Sequence, residues 1–152
     1  MKEGNEWKIR NAEQSDLSAI IMLLSECELP VDGVAESLPN FLVAEMMAER
    51  DNMLVGVAGL ELYGDMALLR SVAISRDFRD KGIGADLVMR TLERAKIKGV
   101  KMVYLLTETA QEYFLHFGFR KIQRHQVDHR VQQSAEFKYA CPKSAVAMKL
   151  EL

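Results

Sequence analysis

A glycine-rich turn, Arg79-Asp80-Lys81-Gly82-Ile83-Gly84, has the residue types and spacing best suited to chemistry. An apolar run with strand character, Met66 to Ile74, precedes the turn, and a helical pattern from Gly84 to Lys98 follows it. This order aims free backbone N–H groups and the positive end of a helix dipole at one point. Gly82 and Gly84 admit a close approach that a Cβ would block. The spacing therefore predicts a phosphate site, and the alternative is a turn whose glycines only permit tight packing.

A carboxylate also stands out beside this turn. Glu61 is the one acidic residue in an otherwise apolar strand pattern, Leu54 to Tyr63. If the side chain is buried, it can act as a proton acceptor in a reaction. The alternative, given equal weight, places Glu61 on the wet face of the strand.

The strand-turn-helix-strand context of Arg79 to Gly84, followed later by Gly118-Phe119, resembles the coenzyme-A signature of the GNAT acyltransferase superfamily. Four segments are similar to small bacterial arsenic-resistance N-acetyltransferases and, more distantly, to the acetyltransferase domain of N-acetylglutamate synthase. They read FLVAEMM, GVAGLELYGDMALLRSVAIS, YLLTETAQEYFLHFGF and AEFKYACPKSAVAM. The resemblance implies a single GNAT domain over residues 1–152. Its implied fold class is α+β (mixed α/β), with a mostly antiparallel, twisted mixed sheet of about six to seven strands and about four flanking helices.

The resemblance also implies an activity, which is direct transfer of an acetyl group from acetyl-CoA to the primary amine of a small amino-acid-like acceptor. Acetyl-CoA is then the cosubstrate and no metal is needed. Glu61 is the expected proton acceptor. The family's usual tyrosine corresponds here to Phe114, so the neighbouring Tyr113 is the expected second catalytic residue. The alternative is that the CoA thiol leaves unassisted or takes its proton from water. The residues expected to bind the cosubstrate are Val72, Ala73, Ile74, Arg79, Asp80, Lys81, Gly82, Ile83, Gly84, Ala85 and Phe114.

An amino-acid acceptor needs a cation for its carboxylate, because an unpaired buried carboxylate is costly. A planar guanidinium can pair with it through two parallel hydrogen bonds. The expected substrate-binding residues are Arg70, Ser71 and Arg130, and the alternative for Arg130 is a plain surface role. Two other functions stay open, which are a non-catalytic acyl-CoA-binding module and a peptide or protein N-terminal acetyltransferase.

The whole chain limits the function further. Its formal net charge is −2, with basic and acidic residues interspersed, so we expect neither a nucleic-acid partner nor a membrane partner. The polar stretch from Met1 to Arg10 is unlike a signal peptide. Cys27 and Cys141 are far apart, which favours two reduced thiols in a cytoplasmic protein over a single disulfide. His125 and His129 are expected at the surface rather than at a metal, and a homodimer stays open.

The remaining elements follow from apolar periodicity and turn residues. Ser15 and Thr109 are predicted helix N-caps, the latter in a capping box with Glu112. Val127 to Ala140 has no clear pattern and is predicted as a loop with a helical turn. The predicted strands are Trp7–Arg10, Phe41–Met47, Met53–Tyr63, Met66–Ile74, Val100–Leu106, Phe119–Gln126 and Ala145–Leu150, and Val31–Leu38 is a predicted short helix.

Overall fold

A computed structural model describes residues 7–140 and 143–152, except for the side chains of residues 139 and 140. The strands in these ranges are β1 (Trp7–Asn11), β2 (Phe41–Met46), β3 (Met53–Tyr63), β4 (Met66–Ile74), β5 (Met102–Thr107), β6 (Arg120–Ile122) and β7 (Val146–Glu151). The α-helices are α1 (Leu17–Glu26), α2 (Val34–Ser37), α3 (Ile83–Ile97), α4 (Gln111–Leu115) and α5 (His129–Gln132), and Glu136–Ala140 forms a π-helical turn.

The strands described in these ranges form one seven-stranded mixed sheet in the order β1-β2-β3-β4-β5-β7-β6. Pairing is antiparallel at β1–β2, β2–β3, β5–β7 and β7–β6 and parallel at β4–β5. The predicted α+β class with a mixed, mostly antiparallel sheet is therefore confirmed.

Contacts group the chain into two units, which share strands β3 and β4. The first, the N-terminal unit, comprises the residues up to Gly59 together with Ser71–Glu93. The second, the C-terminal unit, comprises Leu60–Arg70 and Arg94–Leu152. The expectation of a single domain over residues 1–152 stays a prediction.

The N-terminal unit packs helices on both faces of its strands. Phe41 and Val43 of β2 belong to one buried cluster with Ile20 and Leu24 of α1. The alternate residues Leu42 and Ala44 belong to a second cluster, which contains Ile83 and Leu87 of α3. Because successive strand side chains point to opposite faces, β2 buries both faces, which explains its continuous apolar run. This packing attaches the first turns of α3 to the sheet through Ile83 and Leu87.

In the C-terminal unit, a single parallel pairing joins two elements that an α-helix separates in sequence. Met66, Ala67 and Leu68 of β4 pair with Met102, Val103 and Tyr104 of β5. One buried cluster among the described residues of this unit contains Leu68, Tyr104, Val127, Val131 and Ala147. Val131 lies on α5, so the segment that the sequence left without a pattern is anchored by apolar burial.

Three local predictions are wrong for local reasons. Ser15 does not cap α1, because it lies within a 3-10 turn, Gln14–Asp16, whose capping box joins Glu13 and Asp16. Thr109 is not the N-cap of α4, because the cap residue is Ala110, whose N–H donates to the Thr107 hydroxyl at 2.9 Å.

The predicted strand Phe119–Gln126 is also shorter than expected. It stops at Ile122, and a second capping box, between Gln123 and Gln126, holds a 3-10 turn instead.

Cys141 lies outside the described residues, so its predicted state stays a prediction. Among the residues described, no helix is both long and apolar enough to cross a membrane.

Candidate functional site

The turn between β4 and α3 has an unusual backbone. Arg79 is extended, with φ −76° and ψ 162°, whereas Asp80 and Gly82 have φ values of 65° and 94°. Changes of φ sign between neighbouring residues form the kind of backbone concavity in which successive N–H groups point to one side. Helix α3 begins at Ile83, directly after Gly82, so its unpaired first N–H groups join this concavity. The backbone of residues 79–84 therefore has the features of an anion site.

Gly82 is required by conformation and not by crowding from the protein. Its φ of 94° lies in the left-handed region, which residues other than glycine adopt only at a cost in free energy. A Cβ built at Gly82 would meet Trp7 Cη2 at 3.9 Å, an ordinary van der Waals contact. Space is thus available beside the Gly82 backbone for a ligand to approach closely.

The first turn of α3 is held by a strand residue that the sequence analysis missed. The indole N–H of Trp7 donates to Asp86 Oδ2 at 2.9 Å, and Arg90 Nε donates to Asp86 Oδ1 at 2.9 Å. Ile83 is buried in the second cluster of the N-terminal unit, against which Trp7 also packs. The amide groups at the helix start are therefore fixed in place. Two features of the sequence could have indicated this contact, which are a tryptophan on the first strand and an aspartate in the first turn of the helix.

The charged residues of the turn are all exposed. Arg79 Nε donates to the carbonyl oxygen of Ile74 at 3.0 Å, and Arg79 Nη2 lies 3.5 Å from Cys27 Sγ. Arg79 thereby ties the turn to the end of β4. Asp80 and Lys81 extend into solvent, while Gly84 and Ala85 are half-buried in the first turn of the helix.

Strand β4 has one residue, Ser71, whose backbone φ is positive. Ala73 is buried in the first cluster of the N-terminal unit, and Val72 and Ile74 pack on the second. Ser71 is buried and has φ 60°, so an L-residue adopts a left-handed conformation inside a strand. That conformation costs about 1–2 kcal/mol, and residues strained in this way cluster at active sites and ligand-binding sites. Nothing in the sequence pattern indicated it.

The C-terminal unit contains a buried ionic cluster around Arg70. Its side chain is 0% exposed, and its Nη1 donates to Glu61 Oε2 at 2.5 Å. On another edge of the guanidinium, Nε lies 3.4 Å from Glu136 Oε2. Glu61 is 7% exposed, so it lies inside the protein and not on the wet face of β3. A guanidinium and two carboxylates therefore compensate one another away from water.

The second oxygen of Glu61 accepts a hydrogen bond from a tyrosine. The Tyr63 hydroxyl donates to Glu61 Oε1 at 2.5 Å and is also hydrogen bonded to the hydroxyl side chain of Ser134. Burial of the hydroxyl, together with the adjacent Glu61 carboxylate, raises the pKa of Tyr63 well above its usual value. Tyr63 therefore keeps its proton and acts as a donor that orients the Glu61 carboxylate.

Helix α4 carries the aromatic residues that the sequence analysis selected. Phe114 is buried and packs edge-on against Phe119, with ring centroids 5.8 Å apart. Tyr113 is 40% exposed and its ring lies 5.2 Å from the rings of Phe114 and Phe117. Partial burial raises the pKa of the Tyr113 hydroxyl, so this residue is protonated at neutral pH.

Arg130 lies at the surface and links α5 to the turn between β3 and β4. Its Nη2 lies 3.1 Å from Asp65 Oδ1, and its Nε donates to Asp128 Oδ1 at 3.0 Å. Asp128 also accepts from the Arg130 backbone N–H, as the N-cap of α5. The guanidinium of Arg130 holds the pKa of the Asp128 carboxyl below its usual value. His125 and His129, nearby in sequence, are both exposed.

Residues 40–121, more than half of the chain, match the acetyltransferase (GNAT) domain family. The chain belongs to the GNAT family. An amino-acid acetyltransferase of Photobacterium profundum is 31% identical over 117 residues, which are 74% of this chain but only 26% of the relative. The chain thus spans about a quarter of that relative's length. An uncharacterized N-acetyltransferase of Chlorobaculum tepidum, CT2212, is 26% identical, over 89% of this chain and 87% of its own length.

A solved structure extends the match in three dimensions. Rv2747 from Mycobacterium tuberculosis, crystallised in complex with CoA and NLQ, superimposes with a TM-score of 0.81 at 26% identity. The match covers 95% of this chain and 99% of that one. The resemblance to GNAT proteins that the sequence suggested is therefore confirmed.

Several residues that contact the predicted site residues were not found from sequence. Tyr63 lies two positions after Glu61, and the strand period of two places both side chains on one face, so a signal existed. Ser134 and Glu136 lie in the segment without a pattern, where no local signal was available. The structure brings Glu61 and Arg70 together in the C-terminal unit, whereas residues 79–85 form a turn and the start of α3 in the N-terminal unit.

Proposed function

We propose that this GNAT protein is an acetyl-CoA-dependent N-acetyltransferase that acts on the primary amine of a small amino-acid-like acceptor. The observation that carries the proposal is the turn at residues 79–84, with its φ reversals, its open Gly82 and its anchored helix start. Those features suit a pyrophosphate, which backbone N–H groups and a helix N-terminus bind well. Rv2747, a structural relative, was crystallised with CoA.

The residues that would hold acetyl-CoA follow from this turn. Backbone amides of residues 79–84 would bind the pyrophosphate, and Gly82 would allow it to approach. The backbone of Val72, Ala73 and Ile74 would pair with the pantetheine arm, and Ala85 and Phe114 would complete the contacts. The exposed Arg79 and Lys81 add positive charge near the phosphates, next to the negative Asp80.

The proposed reaction is a direct transfer. The neutral amine attacks the thioester carbonyl, a C–N bond forms, the C–S bond breaks, and the sulfur leaves with its electron pair. The proton lost by the amine passes to the Glu61 carboxylate, and the departing thiolate takes a proton from Tyr113 or from water. The burial of Glu61 supports its role, and Tyr113, which keeps its proton at neutral pH, has a proton to donate.

An amino-acid acceptor is supported by the name of the Photobacterium relative. Its carboxylate would need a cation, and Arg70, Ser71 and Arg130 remain the proposed contacts. The geometry sets a condition on this proposal. Arg70 would have to exchange Glu136, at 3.4 Å, for the substrate, and Arg130 would have to exchange Asp65, at 3.1 Å.

The test is a thiol-release assay with acetyl-CoA and matched pairs of free L-amino acids and their amides. We expect thiol release with free amino acids and much slower release with the amides. Equal rates for both would favour a peptide or protein N-terminal acetyltransferase. CoA binding by calorimetry without thiol release from any amine would favour a non-catalytic acyl-CoA-binding module. A cytoplasmic location and a homodimer stay predictions, which fractionation and sedimentation would test.

A further inference from the structure

Glu136 is a buried carboxylate that the proposed reaction does not use. It is 4% exposed and begins the π-helical turn Glu136–Ala140. Burying a carboxylate requires compensation by a cation or by hydrogen bonds, and Arg70 supplies part of it at 3.4 Å. π-Helical turns are rare and occur frequently at functional sites. Burying the Glu136 carboxylate costs desolvation free energy, and a function of this residue would account for that cost.

The geometry of the cluster connects Glu136 to Glu61 through one rigid group. The guanidinium of Arg70 is planar, and it contacts Glu61 through Nη1 and Glu136 through Nε. A contact on a second edge restrains rotation of the plane, so the position of Nη1 depends on Glu136. Since Nη1 donates to Glu61 Oε2, this restraint passes to the proton-accepting carboxylate.

Tyr63 restrains the other oxygen of Glu61 and is itself hydrogen bonded to Ser134. Ser134 and Glu136 are two residues apart, and the Ser134 hydroxyl also accepts from the Phe137 N–H at 3.3 Å. Both oxygens of Glu61 are therefore held, through Tyr63 and Arg70, by one short segment at the start of the π-helical turn. A general base needs this kind of restraint, because its efficiency depends on alignment with the proton it removes.

We propose that Glu136 is a positioning residue that acts through Arg70 to orient Glu61. The proposal rests on the proposed acetyl transfer and on Glu61 as its proton acceptor. It adds that the segment from Ser134 to Glu136 belongs to the catalytic machinery.

The rival assignment is the exchange described under the proposed function, in which Glu136 is a placeholder that leaves Arg70 when the substrate carboxylate arrives. The positioning role requires instead that Arg70 keeps Glu136, which leaves Ser71 and Arg130 as the contacts of the substrate carboxylate.

The two assignments predict opposite kinetics for Glu136→Gln. As a positioning residue, Glu136 supports the chemical step, so kcat should fall by about tenfold to a hundredfold with both KM values nearly unchanged. As a placeholder, it competes with the substrate, so its removal should lower the KM for the amino acid and leave kcat intact. The matched control is Glu151→Gln, an exposed carboxylate of β7 in the same unit, which should behave like the wild type.

A double-mutant cycle separates positioning from general damage. In a Glu61→Gln background, Glu136→Gln should cause little further loss of kcat, because the group it positions is absent. A fully additive loss would overturn the proposal, as would an unchanged kcat in the single variant. Should Glu136→Gln fail to fold, Glu136→Asp keeps the charge but shortens the reach, and the same kcat, KM and cycle comparisons decide. A wild-type protein without thiol release refutes the proposed function itself, whereas an active wild type with an unaffected Glu136→Gln refutes only the positioning role.

Discussion

Alanine substitutions at Gly82 and Gly99 form a matched test of the phosphate site, because these glycines flank the same helix, α3. Their φ values are 94° and 87°, and neither position is crowded: a Cβ at Gly82 meets Trp7 at 3.9 Å, and one at Gly99 meets no described atom within 4 Å. An L-residue in the left-handed region costs about 1–2 kcal/mol, part of which is offset by lower entropy of the unfolded chain. We therefore expect each variant to lose about 1 kcal/mol, or about 2–4 °C in Tm.

Binding of CoA should distinguish the two variants. At Gly82 the new Cβ occupies the approach to the amides, and loss of one hydrogen bond to a charged group costs about 1.5–3 kcal/mol. This loss corresponds to roughly tenfold to hundredfold weaker binding. At Gly99 the Cβ lies at the opposite end of the helix, so the Kd for CoA should match the wild type.

Calorimetry with CoA and thermal melts of both variants supply the measurements. Turnover of S-acetylpantetheine, which lacks the pyrophosphate, should be equal in the two variants and isolates the phosphate contribution. Equal Kd values for CoA, with equal losses of Tm, would refute the assignment of residues 79–84 to the pyrophosphate.

Three further predictions concern single positions. Glu61→Gln should lower turnover with little effect on CoA affinity, and the loss should shrink at high pH as free amine becomes available; a constant ratio of rates across pH would remove Glu61 from the mechanism. Arg10 holds the pKa of Asp16 below its usual value, so this pair contributes stability above about pH 4 that is lost as pH falls through the folded-state pKa. Asp16→Asn should thus be about 1 kcal/mol less stable in urea at pH 7, with a gap that closes in acid; an equal gap at both pH values would contradict the linkage. Gly59→Ala should cost about 1–3 kcal/mol or more, because its Cβ would lie 2.3 Å from the buried Phe41 ring, and an unchanged urea midpoint would show that the ring moves freely.

The strands around the site could be predicted from sequence because their signals are local. The ranges Met53–Tyr63 and Met66–Ile74 match the structure, since two apolar runs are separated by a Gly64-Asp65 turn whose glycine has φ 67°. The end of α3 was also predictable, because Gly99 adopts the left-handed conformation of a C-terminal cap. These features depend on a few consecutive residues, which a pattern can report.

The helix starts were harder to predict, because several polar residues compete for the same backbone groups. Near α4, Thr107 and Thr109 are both suitable caps, and the Thr107 hydroxyl accepts the Ala110 N–H. Near α1, the capping box between Glu13 and Asp16 displaces the role given to Ser15. Propensity alone does not decide between such neighbours, since the alternatives differ by about 1 kcal/mol or less.

The buried cluster shows where prediction from sequence ends. A two-residue turn at Gly64-Asp65 places Tyr63 opposite Met66, so Glu61 falls opposite Leu68 and Arg70 lies diagonally on the same face. The contact between Glu61 and Arg70 thus follows from hairpin register and could have been deduced. No comparable rule predicts the position of Glu136, because Glu136 lies in a segment that is positioned by the apolar burial of Val127 and Val131 in the C-terminal unit. The residue proposed to orient Glu61 is therefore the one whose placement requires the tertiary fold.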